Sequence, residues 1–215
     1  MKFSIDVPFE CDDKIRPFLQ QVFDGEYDVR EFFMHSPNII DLGANCGAFS
    51  VWASHRWPFA EIWAYEPHPE TFKTLEMNTK RYSNVKIHNW GIGTPGIRVL
   101  SDGLRNSGEA SFHHVLENPT PTGRHLEVKD PLSLPEADII KLDIEGCELE
   151  VLAPLINSGR KFSFILLEYH NHALRRVIDA LLKDYLLIGA HVHSITGLGV
   201  MKYVHKDLMP KEFVE

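Results

Sequence analysis

From residue 38 onward, short β-branched runs alternate with helix-length segments, and this alternation confines the chain to a small set of folds. "NIIDL" reads as a buried strand and "GAFSVWASHRW" as a helix. "EIWAYE" is a second strand, and "PETFKTLEMNTKRY" is a second helix with proline in its first turn. "NVKIHNW" is a third strand, and "IRVL" is a strand of an added hairpin. "ADIIKLD" and "FSFILLE" are a fourth and fifth strand of the main series. Between them "CELEVLAPLINS" forms a helix that Gly159 ends, and after them comes the helix "HALRRVIDALLKD". "YLLIGAHVHS", a "TGLG" turn and "VMKYVH" close the chain as an antiparallel pair. Strands and helices in this rhythm are βαβ units, so the expected architecture is an α/β fold. Its sheet is mostly parallel and covered on both faces, with the terminal hairpin as its antiparallel edge.

A chain of 215 residues with 44% hydrophobic content buries one sizeable core, which is expected to belong to a single globular domain. Residues 1–37 read as a lead-in whose "DKIRPFLQQVF" has helical spacing before "DGEYD" breaks it, and residues 38–215 read as the main domain. Residues 101–135 are rich in Gly, Pro, Ser and Asn with no clear period, which marks either a lid or short elements without a pattern. Charge excludes some partners. With 22 basic against 30 acidic residues the net charge is −8, which opposes general attraction to nucleic acid or an anionic membrane. No signal-peptide h-region or membrane-length apolar run is present, and Cys11, Cys46 and Cys147 form neither a disulfide framework nor a zinc pattern. A cytoplasmic setting is expected.

Ligands of parallel α/β sheets lie beyond the carboxyl ends of the strands, so the turn after the first strand is the place to look. There the pattern is D-x-G-x-N-x-G, over Asp41, Gly43, Asn45 and Gly47. Glycine lets backbone approach a ligand closely, asparagine tolerates left-handed backbone, and the following helix offers its positive end. A carboxylate at Asp41 repels a pyrophosphate but favours an ammonium or sulfonium centre. Glu66 ends the second strand, nineteen residues after Gly47, where a carboxylate accepts both ribose hydroxyls. A nucleoside with a cationic tail, as in S-adenosyl-L-methionine, fits both acids.

"IIDLGANCGAFSVWA", "IWAYEPHPETFKTLEMN" and "IIKLDIEGCELEVL", followed by "FILLEYH", resemble the FkbM-type S-adenosylmethionine-dependent methyltransferases in order and spacing, across about residues 38–170. The resemblance implies the Rossmann-like class I methyltransferase fold, a seven-stranded sheet with an antiparallel last strand. It implies methyl transfer to oxygen, usually a hydroxyl of a small natural product or saccharide. By the same resemblance Asp41, Gly43, Ala44, Asn45, Gly47 and Phe49 line the methionine end of the cofactor, Glu66 with Pro67 holds the ribose, and Asn89 and Trp90 sit beside the adenine. Cys46 stands where many relatives carry a small or aliphatic residue, and a compact thiol fits there.

Catalytic groups are expected on the fourth and fifth strands. Asp143 and Glu145 flank Ile144 in "KLDIEG", so on extended chain they point the same way, and Glu168 and His170 repeat that spacing in "LEYH". A hydroxyl becomes nucleophilic when a positioned base takes its proton, so Glu168 or His170 is the expected base, with Asp143 and Glu145 orienting substrate or sulfonium. Structural readings stand beside these: Asp143 and Glu145 as acids at a helix N-terminus, Glu168 paired with Lys141, and His170 capping a strand. Twelve histidines raise the question of metal, with His170 and His172, or His191 and His193, on one face, but no dedicated metal pattern exists and none is expected. His113, His114 and Arg124 are candidate lid contacts. Phe18, Phe23, Tyr27, Phe32 and Phe33 either cover the cofactor mouth or pack the core. Base-amine methyltransferases commonly carry an N/D/S-P-P-Y/F loop after the fourth strand; "DIEG" stands there instead, a further argument against nucleic acid. A nicotinamide-dependent oxidoreductase and a non-catalytic binding module are the competing classes.

Overall fold

The computed structural model describes residues 9–11, 13, 16–29, 34–100, 124–170, 172–192 and 198–210. In chain order the elements are α1 Arg16–Phe23, β1 Asn38–Leu42, α2 Ala48–Arg56, β2 Glu61–Tyr65, α3 Pro69–Thr79, β3 Val85–His88, β4 Gly91–Ile92 and β5 Gly96–Leu100. They continue with β6 Arg124–Lys129, β7 Ile139–Leu142, α4 Glu148–Asn157, β8 Phe164–Tyr169, α5 His172–Leu181, β9 Tyr185–Val192 and β10 Gly199–His205.

Seven strands make the main sheet in the order β3-β2-β1-β7-β8-β10-β9, parallel except for β10. The alternation of side chains along each strand feeds two cores. Ile39, Ile62, Ile139, Phe164 and Leu166 pack with Phe49 and Trp52 of α2 on one face. Ile40, Ile140, Leu142 and Ile165 pack with Val151 and Leu155 of α4 and Ile178 of α5 on the other. Fully burying a side chain of this size contributes about 1.5–3 kcal/mol, which is why the central strands read as nearly continuous apolar runs.

The terminal pair forms the antiparallel edge of the sheet, as expected, with its last strand on the inner side. β10 is not at the edge: it inserts antiparallel between β8 and β9 and leaves β9 as the edge strand. The reason lies in the side chains, since Val200, Met201, Tyr203 and Val204 of β10 are buried whereas Leu187 and Val192 of β9 are exposed. The apolar strand takes the position with two neighbours. The expected added hairpin is present, with β5 antiparallel to β6 and β4 parallel to β6 in a separate three-stranded sheet. Its second strand comes from within the stretch that shows no period. His113, His114, His193, Phe32, Phe33 and the side chains of Phe18 and Arg124 lie outside the described residues.

Candidate active site

The turn after β1 is built from left-handed backbone, with φ of +70° at Gly43, +50° at Asn45 and +91° at Gly47. The end of β2 holds it: the N–H groups of Gly43 and Ala44 donate to the Tyr65 carbonyl at 3.1 and 3.0 Å. Glu66 continues the grip, accepting from the Asn45 N–H at 2.9 Å and the His68 N–H at 2.8 Å. The two glycines answer to the protein's own packing as well as to their backbone angles. A Cβ on Gly43 would lie 1.8 Å from the Asp143 carbonyl oxygen, and one on Gly47 would lie 2.8 Å from Cδ1 of Leu75 in α3. Close approach here is first of all between the ends of β1 and β7, where the sequence suggested a ligand. Burial raises the Glu66 carboxyl to about 7 against the pull of the His68 and Asn45 amides.

Asp41 is 0% exposed and turned into the protein, not toward a ligand. Its Oδ2 accepts from the Ser50 hydroxyl at 2.7 Å, and its Oδ1 stands 3.3 Å from Nζ of Lys141, its register partner across β1 and β7. Lys141 Nζ also lies 3.4 Å from Asp143 Oδ2 and donates to the Gly43 carbonyl at 2.9 Å. Burial pulls the ammonium toward neutrality, but Asp41 and Asp143 outweigh it and hold its pKa above the ordinary lysine value. One buried cation thus ties the ends of β1 and β7 together. Its pairing with Asp41 and Asp143 uses Lys141 in a way the expected Glu168 partnership did not foresee.

A cavity of about 420 Å³ opens beside this junction, on the α2 face of the sheet. It brings Gly43, Ala44, Asn45 and Phe49 together with Asp143, Glu145, Glu168 and His170, while Glu26 and Tyr27 line it from the turn after α1. The acids arrive differently from the extended spacing expected. β7 ends at Leu142, and Glu145 sits at φ +55° in a tight turn that returns its carboxylate to the cavity. Asp143 and Glu168 bring carboxylate oxygens within 4.8 Å of each other, near enough for each to feel the other's charge. Burial and the neighbouring Asp143 hold Glu168 well above the carboxylate range. Glu26 is also raised, by burial and then by Asp143.

His170 stands between two other acids, with Nε2 3.2 Å from Glu145 Oε2 and Nδ1 3.2 Å from Glu148 Oε1. Burial alone would lower its pKa; Glu145 and Glu148 override that and raise it to about 11. Asp143, Glu168 and His170 each bring one donor atom within 4.8 Å of the others, the spacing a cation needs. Each nitrogen of His170 already lies 3.2 Å from a carboxylate of Glu145 or Glu148, and the trio is not assigned to metal.

Asp41, Gly47, Glu66, Pro67, Asn89 and Trp90 do not line this cavity. Asn89 shapes the exit of β2, donating to the carbonyls of Glu66 and Pro67 at 2.8 and 3.2 Å. Trp90 packs against the His88 ring at 4.7 Å and carries Lys129 Nζ 3.5 Å from its ring centroid. Lys141 was read from sequence only as a partner of Glu168, whereas Asp41 and Asp143 hold it here. Glu148 was not singled out from sequence; it is 0% exposed, and an acid in a helix's first turn gives no hint that it is buried.

This strand order, with an antiparallel strand inserted next to the edge and a glycine turn after β1, is the Rossmann-like methyltransferase architecture. The crystal structure of methyltransferase FkbM from Methylobacillus flagellatus KT superimposes with a TM-score of 0.59 at 20% identity, covering 91% of this chain and 56% of that one. A precorrin-6y C5,15-methyltransferase from Geobacter metallireducens GS-15 gives 0.51 at 14% identity, over 94% and 93%. Residues 41–186 match the methyltransferase FkbM domain model, and the chain belongs to that family. Among relatives, the hexuronic acid methyltransferase AglP of Haloferax volcanii is 28% identical over 165 residues, covering 68% of this chain and 63% of AglP. Methyltransferase 1 of Beauveria bassiana is 26% identical over 155 residues, covering 60% and 62%. The chain thus spans less than two thirds of either relative's length.

Proposed function

We propose that the chain transfers a methyl group from S-adenosylmethionine to a hydroxyl of a small natural product or saccharide. The observation that carries this reading is the neighbouring carboxyls of Asp143 and Glu168, set in a cavity whose other wall is the glycine turn. When bound, the cofactor supplies an electrophilic methyl on a sulfonium centre. Gly43, Ala44, Asn45 and Phe49 would bound its methionine end. Glu66 would accept from the ribose, since each carboxylate oxygen keeps a lone pair beyond the one its backbone donor uses. Pro67, Asn89 and Trp90 would flank the base. Asp41 and Gly47 would act from behind, by fixing the turn.

With the two carboxyls side by side, a carboxylate of the pair would take the acceptor's proton as its oxygen attacks. The cofactor, when bound, would supply the methyl that the acceptor oxygen takes in exchange for this proton, and the proton would stay on the pair. His170, cationic and flanked by acids, is the weaker of the two candidate bases. The saccharide class draws support from AglP, a hexuronic acid methyltransferase. The acids lining this cavity favour a neutral acceptor over a uronate.

The test is transfer of radiolabelled methyl from S-adenosylmethionine to a panel of neutral glycosides, uronides and hydroxylated natural products. Label should appear as a base-stable methyl ether with at least one acceptor, and Asp143→Asn should lower kcat by about 10²–10⁴-fold, the usual worth of a positioned base. Label on nitrogen, or full turnover in both Asp143→Asn and Glu168→Gln, would overturn the reading.

A further inference from the structure

We propose that Glu148 is a positioning residue for this site: through His170 and the amides of the 143–146 turn, it sets where Asp143 and Glu145 stand in the cavity. Glu148 is the first residue of α4 and fully buried. Its Oε1 accepts from the Gly146 N–H at 3.0 Å and lies 3.4 Å from the Ile144 N–H, so one carboxylate oxygen grips the turn at two points. The same oxygen is 3.2 Å from His170 Nδ1. The imidazole's other nitrogen reaches 3.2 Å to Glu145 Oε2, which closes the chain of contacts back onto the turn.

That turn needs holding. Glu145 at φ +55° and Gly146 at φ +94° are consecutive left-handed residues, and a non-glycine residue stays in that strained conformation only where its surroundings hold it. Without the clamp, Asp143 and Glu145 lose the backbone that aims them. His170 faces Glu145 and Glu148 directly, with Glu168 beside it on β8 and Asp143 across, just after β7. It is therefore a strut between carboxylates. Its elevated proton affinity, about 11, agrees with that geometry.

The consequence for catalysis rests on the methyltransferase reading, but the structural claim does not. The experiment is a pH titration of the histidine side chains by NMR, with the His170 resonance assigned by its loss in His170→Gln. In the wild type this imidazole should stay protonated far above the ordinary histidine range. In Glu148→Gln its midpoint should fall by at least about one unit, a tenfold loss of proton affinity, and the amides of Ile144 and Gly146 should shift with it. Glu148→Asp, which keeps the charge but withdraws it by one methylene, provides a second variant should the first not fold; it should give a smaller shift in the same direction. An ordinary His170 midpoint in the wild type, or an unchanged one in the folded variants, would overturn the proposal. If an acceptor is in hand, Glu148→Gln should lower kcat more than it raises KM for the cofactor. Loss of methyl transfer with an intact titration result would count against the enzyme reading alone.

Discussion

Three titratable side chains at the centre of this molecule have raised proton affinities, Glu66 and Glu168 mainly through burial and His170 through its acidic neighbours, and each makes a measurable claim. Glu168 and Glu66 are both raised, Glu66 to about 7. A carboxyl with a folded-state pKa above its unfolded value binds a proton that the unfolded chain has released. Stability is then greatest at low pH and falls as pH rises from the ordinary carboxylate value to the folded one. His170, raised to about 11, has the same sign, its contribution present below the ordinary imidazole value and lost as pH climbs toward the folded one. Glu168→Gln removes one of these slopes. Its melting temperature should exceed that of the wild type at pH 8 and converge with it toward pH 4.5, read by calorimetry across that range. Lys141 makes the opposite kind of claim. Lys141→Met leaves the buried Asp41 and the half-buried Asp143 without their cation and should cost about 3–5 kcal/mol in urea unfolding, whereas Asp41→Asn with Lys141→Met should recover part of that loss.

At the scale of elements, the turn after β1 shows what a pattern of glycines conveys and what it leaves out. Left-handed backbone at Gly43 and Gly47 was legible, because asparagine and glycine at that spacing imply it. What presses against them was not, since Asp143 and Leu75 are distant in sequence. Gly43→Ala should therefore fail to fold or lose most of its stability, as a methyl cannot lie 1.8 Å from a carbonyl oxygen. Gly47→Ala should cost about 1–3 kcal/mol by urea titration, because the Leu75 side chain can shift but the backbone strain remains. The same limit explains β10. Its apolar run identified a strand, yet which strands flank it depends on pairing with Tyr185–Val192 and Phe164–Tyr169, and periodicity carries no information about partners. β6 was hidden because its alternation sits directly after a Gly- and Pro-rich stretch.

For the whole molecule, the alternation of strands and helices, the glycine turn and the acids after β7 and on β8 were legible because each follows from local pattern. The hub made by Lys141 and Glu148 was not, because whether a charge is buried and paired is decided by side chains that meet only in the fold. No helix among the described residues is long and apolar enough to cross a membrane. Family membership and architecture agree with the proposed chemistry, which hinges on one cofactor. The most direct test is calorimetric titration of the protein with S-adenosylhomocysteine and S-adenosylmethionine, with NAD alongside. Glu66→Ala serves as the variant, checked for an unchanged fold by circular dichroism. Micromolar affinity for the two sulfur compounds, about −8 kcal/mol, lost in Glu66→Ala and absent for NAD, is the result this account predicts. Binding of NAD, or no binding of either sulfur compound by the folded wild type, would contradict it.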